Sequence, residues 1–333
     1  MSELPPLIQS LLDPNSYPET PNNVELVQTQ ISFVFLADDY VYKIKKPVDF
    51  GFLDYSTLEK RLHFCRKEIE LNRRLCPAAY LGVVPITSNN GKFRIDGSGT
   101  PEEYAVKMRR LPQDAMMDVL LPQDRVTPAM ITEVANIVAE FHRTAATGGE
   151  INEIGGIDAV IKNTSENFEQ TEDYIGVTVS AETYRHIRSW TEDFIRTQAP
   201  LFHRRVAGGH VRDCHGDLHA NHICFCDSIC IYDCVEFIDR LRYTDVAAEV
   251  AFLAMDLDRY GRHDLSETFI AAYIEKSRDA ELRQLLDFYK CYRAYVRGKI
   301  GCSQYDDPYI PAAEKDKILA TTRAYFELAE SYI

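Results

Sequence analysis

Between Val24 and Lys45 the apolar positions come in short runs, and along Val41-Tyr42-Lys43-Ile44-Lys45 every second side chain shares a face. The pattern predicts strands at Val24–Gln28, Phe33–Leu36 and Tyr40–Lys45, the last two joined at Asp38-Asp39, as an antiparallel meander. The period then lengthens. Leu58, Leu62, Cys65 and Ile69 recur at helical spacing behind Ser56-Thr57-Leu58-Glu59, a capping box, and Pro77 closes the helix. Strands follow at Val83–Thr87, Phe93–Ile95 and Tyr104–Met108, with a turn at Asn89-Asn90-Gly91. Beyond residue 112 the text is helical: Thr127 caps a helix with Pro128 at its first position, and another helix starts at Ser180 and stops at Gly208-Gly209. A hairpin is expected from Ile223–Phe225 and Ile229–Tyr232, and Asp245 caps the apolar helix Val246–Leu257. The proline-rich first twenty-odd residues read as a short helix at Leu7–Leu12 and an irregular lead-in.

With 333 residues and 45% apolar content the chain can bury a sizeable core, disorder is not indicated, and two lobes are expected. A net charge of −14 argues against nucleic acid or anionic membrane as a partner, since both need a basic face. No apolar run approaches a bilayer-spanning length, and Met1-Ser2-Glu3-Leu4 does not open like a signal peptide, so a cytosolic location is expected. Nine cysteines fit reduced thiols; Cys224, Cys226, Cys230 and Cys234 lack the paired spacing of common zinc modules and read as small apolar residues of the hairpin.

The chemistry-bearing stretch is Cys214-His215-Gly216-Asp217-Leu218-His219-Ala220-Asn221-His222, followed by Ile231-Tyr232-Asp233. Two aspartates so placed have the layout of a phosphate-transfer site: Asp217 accepts the proton of a substrate hydroxyl, and Asp233 holds magnesium. His215 orients the loop. Glu236, three residues past Asp233, is a rival metal ligand. Lys43 can reach phosphates from its strand, with Glu68 on the next helix as its partner. No glycine precedes Gly51, so the turn Thr29-Gln30-Ile31-Ser32 stands where a glycine-rich loop would, and Ser32 is a candidate phosphate donor. The segment Pro47–Tyr55 reads as a packed loop or a lid, and Phe141-His142-Arg143 as a structural helix end. Arg293 and Arg297, four apart on a helix, either clamp an anion or pair with acidic neighbours.

Strand lysine, helix glutamate, His215-Gly216-Asp217 and Ile231-Tyr232-Asp233, in this order, resemble the aminoglycoside phosphotransferase-like family, relatives of protein kinases. The whole chain looks similar to a poorly characterised branch of that family, sometimes fused to a P-loop domain. The resemblance implies an α+β, protein-kinase-like two-lobed fold: an N-lobe of antiparallel strands and one helix, residues 1–111, and a mainly helical C-lobe, residues 112–333. It implies ATP and Mg2+, backbone groups near Met108 and Arg110 against an adenine edge, and a small-molecule hydroxyl as phosphate acceptor. The step from Asp233 to Asp245 fits the family too, where that aspartate supports the catalytic loop. The family's metal-binding asparagine falls five residues after the aspartate; here that position is His222, with Asn221 one place earlier, so either Asn221 or His222 completes the metal site. A nucleotide-binding pseudokinase and a nucleotidyl transferase on the same fold are the alternatives.

Overall fold

A computed structural model describes residues 4–89, 91–307 and 310–333; Asn90 of the expected turn and Met1–Glu3 lie outside the described residues. The chain divides into two compact units, residues 1–119 with 222–238, and residues 120–221 with 239–333.

In chain order the first stretch comprises α1 (Pro6–Ser10), β1 (Val24–Gln28), β2 (Ser32–Ala37), β3 (Tyr40–Lys45), α2 (Leu58–Asn72), β4 (Tyr80–Asn89), β5 (Lys92–Ile95), β6 (Pro101–Arg109) and α3 (Met117–Leu120). Then come α4 (Pro128–Thr144), α5 (Gly149–Ile154), α6 (Ile157–Glu169), α7 (Ala181–Ala207) and β7 (Val211–Asp213). The hairpin β8 (Ile223–Phe225) and β9 (Ile229–Ile231) precedes α8 (Asp239–Arg242), β10 (Tyr243–Asp245), α9 (Val246–Arg259), α10 (His263–Ser277), α11 (Arg283–Asp306) and α12 (Ala312–Glu330).

The six strands β1 to β6 form one antiparallel sheet in the order β1-β2-β3-β6-β4-β5. Alternation sorts its side chains. Phe33, Phe35, Tyr42, Ile44 and Ile86 pack on one face with Ile8, Leu11 and Tyr17 from the lead-in, which is therefore part of the core. On the other face α2 lays Cys65 and Ile69 against Tyr80 and Val106, and Cys224 and Cys230 of the hairpin join them. The hairpin thus packs with the first unit although the sequence expectation placed it in 112–333. Helix α2 is capped by Thr57, whose hydroxyl accepts from Lys60 N at 3.3 Å, while Ser56, the expected cap, donates to Asp54 at 2.6 Å.

Because Leu11 is fully buried in this cluster, Leu11→Ala will lower stability by about 2–5 kcal/mol, measured by chemical denaturation.

The second unit is helical, with a core of Phe168, Tyr184, Ile187, Phe252, Tyr295 and Phe326. A short antiparallel pairing of β7 with β10 fixes the start of the loop that carries Asp217. Asp245 caps α9, accepting from Ala247 N at 2.8 Å, and also receives Arg205 bidentately at 2.6 and 2.8 Å. Arg205 reaches Asp279 as well, so a buried guanidinium ties α7 to the start of α9. Among the described residues no helix is long and apolar enough to cross a membrane.

Candidate active site

In the first unit a cluster of charges grows out of the strand alternation. Lys43 and Lys45 lie on the face of β3 opposite Tyr42 and Ile44, so both point toward α2 and its Glu68. Lys43 Nζ is 3.0 Å from Glu68 Oε1 and 2.8 Å from Asp233 Oδ1. Burial opposes the ammonium, but the carboxylates of Asp233 and Glu68 outweigh it and raise the Lys43 pKa well above its ordinary value. Lys45, fully buried, donates to Glu68 Oε2 at 2.7 Å and to Glu236, which also accepts from Tyr55 at 2.7 Å. Glu68 therefore bridges two lysines.

Asp233 follows β9 in the left-handed region, φ 62°, a conformation that aspartate tolerates better than most residues. Its N–H donates to Tyr80 Oη at 3.2 Å, its side chain stays 42% exposed, and Oδ2 lies 3.6 Å from His222 Nε2. A cavity of about 500 Å3 adjoins it, walled by Val34, Leu36, Val41, Ala79 and Met108, with Lys43 and Asp233 at its polar side. Volume and lining suit a small organic ligand with an anionic end.

In the second unit the Asp217 loop is held by its backbone. Gly216 adopts φ 88°, a turn open to glycine, and this lets the N–H groups of His215 and Gly216 donate to the same buried carboxylate, Glu249 of α9, at 2.8 and 2.9 Å. One helical face further along, Asp256 accepts from Ala220 N at 2.9 Å. His142 of α4 braces Glu249 through Nε2 at 2.8 Å and bonds Tyr273 Oη through Nδ1 at 2.8 Å. Arg293, buried over the Phe252 ring, donates to the carbonyls of Ala248 at 3.2 Å and Gly216 at 3.4 Å. With the loop so anchored, the Asp217 carboxylate is left partly exposed, 3.5 Å from His219 Nε2. His215 Nδ1 accepts from Asp217 N at 3.3 Å, an orienting contact.

Burial alone would raise the Glu249 carboxyl, but His142 and the His215 N–H bring it down from 4.5 to about 2. A carboxylate lowered by folding adds stability that is whole above the unfolded-state value and is lost as pH falls toward the folded one. Stability will therefore fall between about pH 5 and 2, with Glu249 contributing on the order of 3 kcal/mol. Urea unfolding at stepped pH checks this; Glu249→Gln should be less stable at neutral pH and flatter in that window.

The model of a phosphotransferase enzyme family matches residues 63–288. The chain belongs to that family. Uncharacterized proteins of Mycobacterium tuberculosis (strain ATCC 25618 / H37Rv) and Mycobacterium bovis are each 34% identical to it over 283 residues, 85% of this chain and 55% of theirs. The chain thus spans about half the length of the curated relatives it matches. Among solved structures, a putative aminoglycoside phosphotransferase from Ralstonia eutropha superposes with TM-score 0.53 at 10% identity, over 98% of this chain and 97% of that one. The ethanolamine kinase of Plasmodium vivax gives 0.51 at 11% identity, over 93% and 83%. These likenesses establish the kinase-like fold.

Within this member of the phosphotransferase family the structure brings Lys43, Glu68, Asp233 and His222 together in the first unit and corrects two expectations there. Glu236 is buried and turned to Lys45 and Tyr55, so it is an internal counter-ion in place of a metal ligand. Ser32 is fully buried on β2 and does not line the cavity; Thr29 of the same turn does. Met108 and Arg110 both line the cavity, and the Arg110 N–H donates to the Asp39 carbonyl at 2.8 Å. Asn221 is exposed at the end of the second unit's loop.

Cys76 and Cys230 form a disulfide in place of two of the expected thiols, and Cys224 pairs across the hairpin with Cys230. Leu53 and Tyr55 bury the Pro47–Tyr55 segment as a packed loop, with Phe50 and Phe52 outward. Arg293 serves the loop backbone and Arg297 lies over the Tyr325 ring. Lys45, Glu249 and Asp256 were not foreseen. The last two had a signal: carboxylates seven apart in the otherwise apolar Val246–Leu257 share one helix face.

Proposed function

We propose that this chain is an ATP-dependent phosphotransferase that passes the γ-phosphate to a hydroxyl group of a small molecule. The observation that carries the reading is Lys43, held at once by Glu68 and Asp233 at the polar side of an apolar-walled cavity, in a chain of the phosphotransferase family. The purine would lie against Val34, Leu36, Ala79 and Met108, with Lys43 on the phosphates. Residues 1–119 with 222–238 would serve the nucleotide, and residues 120–221 with 239–333 would supply the Asp217 loop and the acceptor site.

Asp217 accepts the proton of the acceptor hydroxyl as its oxygen bonds to the γ-phosphorus. The bond from that phosphorus to the β–γ bridging oxygen breaks, and ADP leaves with the electron pair. His215 positions the loop. Asp233 fits a hard divalent cation, being a half-exposed carboxylate at the cavity, with His222 or Asn221 as companion ligand. Magnesium held there would neutralise phosphate charge. A cytosolic location accords with a small-molecule kinase.

The test is mass spectrometry of a small-molecule cell extract incubated with ATP, magnesium and either the parent chain or Asp217→Asn. A metabolite gaining one phosphate only with the parent supports the reading; a gain of a nucleotidyl group supports transfer from inverted ATP. Tight ATP binding with no product under any metal favours a pseudokinase, the reading for which His222 beside Asp233 speaks.

A further inference from the structure

A cavity of about 790 Å3 in the second unit lies among α4, α10 and β7, and Asp217 is not among its lining residues. Its volume is that of a small-molecule site. In a chain of net charge −14 its lining is unusual: Arg143, Arg212, Lys276 and Arg278 are fixed cations, against the carboxylates Glu140, Glu275 and Asp279.

Two of those carboxylates are already spent. Glu140 is paired with Arg143 on its own helix at 2.9 Å. Asp279 receives the buried Arg205 guanidinium at 3.0 and 2.8 Å and His210 Nδ1 at 3.1 Å. Arg212 donates, among the described residues, to main-chain carbonyls, Ala145 at 2.8 Å and Arg143 at 3.4 Å, and forms no ion pair with a carboxylate. Among the described residues neither Lys276 nor Arg278 has a carboxylate within ion-pair distance. Three cations from two elements therefore face the cavity outside any ion pair among the described residues, against one carboxylate that is in none, Glu275, with Glu140 acting on Lys276 only beyond ion-pair distance.

Arg278 adds a second argument. It ends α10 at φ 61°, a position that glycine or asparagine fills without strain, with its N–H on the Ile274 carbonyl at 2.7 Å. The end of a helix favours one nearby cation. It does not account for Arg212, which arrives from β7.

We propose that this cavity is a second ligand site, which binds a compact phosphate-bearing anion through Arg212, Lys276 and Arg278. Two guanidinium groups and an ammonium are the set that recognises phosphate oxygens, the guanidinium in bidentate fashion. The floor of the cavity includes His142 and Tyr273, so an occupant would rest one side chain away from Glu249, the anchor of the Asp217 loop. The inference does not depend on the proposed phosphotransfer.

Pyrophosphate titrated calorimetrically, without added metal, into three proteins decides it: the parent, Lys43→Met, and Lys276→Ser/Arg278→Ser. The expected result is one saturable site in the parent and in Lys43→Met, weakened by roughly tenfold or more in the double variant. Both replaced side chains are exposed, and a thermal melt without anion verifies that the double variant is folded. No saturable binding in the parent, binding untouched by the double variant, or binding lost with Lys43→Met alone would each overturn the assignment. The last outcome would place the anion in the first unit's cavity.

Discussion

The Asp217→Asn protein will bind ATP within about threefold of the parent and turn over its acceptor roughly 10²–10⁴-fold more slowly. The asparagine amide keeps the shape and polarity of the side chain but cannot take up a proton. The loop backbone is held independently of that carboxylate, since Glu249 and Asp256 fix it through His215, Gly216 and Ala220. Asp217 is also not among the residues that line the first unit's cavity. Equilibrium nucleotide binding and single-turnover kinetics on the same preparation separate the two effects. Turnover within tenfold of the parent would remove Asp217 from the role of base.

The largest loss of stability is expected at Lys45, a residue with no assigned contact to substrate. Lys45→Met leaves Glu68 with only Lys43 and leaves the buried Glu236 with a tyrosine hydroxyl alone. Breaking a buried ion pair from one side costs about 3–5 kcal/mol, because a charge is stranded away from water. The first unit should lose on the order of 10 °C in melting temperature. Lys43→Met is the contrast. Its ammonium is nearer the cavity, and Glu68 keeps Lys45, so the expected loss falls on nucleotide affinity and turnover more than on melting. A Lys45→Met chain that melts with the parent would mean that Glu236 protonates or finds water at little cost.

Much of this was legible in the chain, and the reasons differ by element. Strands β1 and β3 match their expected bounds because strict alternation and flanking turns leave one register that buries Phe35, Tyr42 and Ile44. The starts of α4, α7 and α9 were readable because Thr127, Ser180 and Asp245 each satisfy an N–H that the helix cannot. The lead-in was not readable: prolines hide any period, and Leu11 and Tyr17 gain their meaning only from a sheet face formed later in the chain.

The candidate site divides in the same way. The pairing of Lys43 with Glu68 was expected from the likeness to kinase-like folds, in which a strand lysine meets a glutamate of the next helix, since the local pattern alone fits solvated side chains equally well. The fate of Lys45 and Glu236 depended on partners 191 residues apart, which no local pattern reports. Ser32 was misjudged because a turn residue was assumed to face the ligand, whereas β2 begins one position earlier than expected and carries it inside.

The first unit is discontinuous, and that bears on how the chain is made. Its sheet is finished when β6 ends, yet Glu236, Cys230 and the hairpin that completes its core arrive only after residues 120–221 have been synthesised. At ordinary translation speeds this is a gap of about 5–20 s. During that interval Lys45 faces Glu68 without its second carboxylate, and the α2 side of the sheet lacks its hairpin cover. The nascent first unit therefore lacks part of its core until the hairpin arrives, and a chain released before residue 238 presents to chaperones and proteases a sheet face covered by α2 alone.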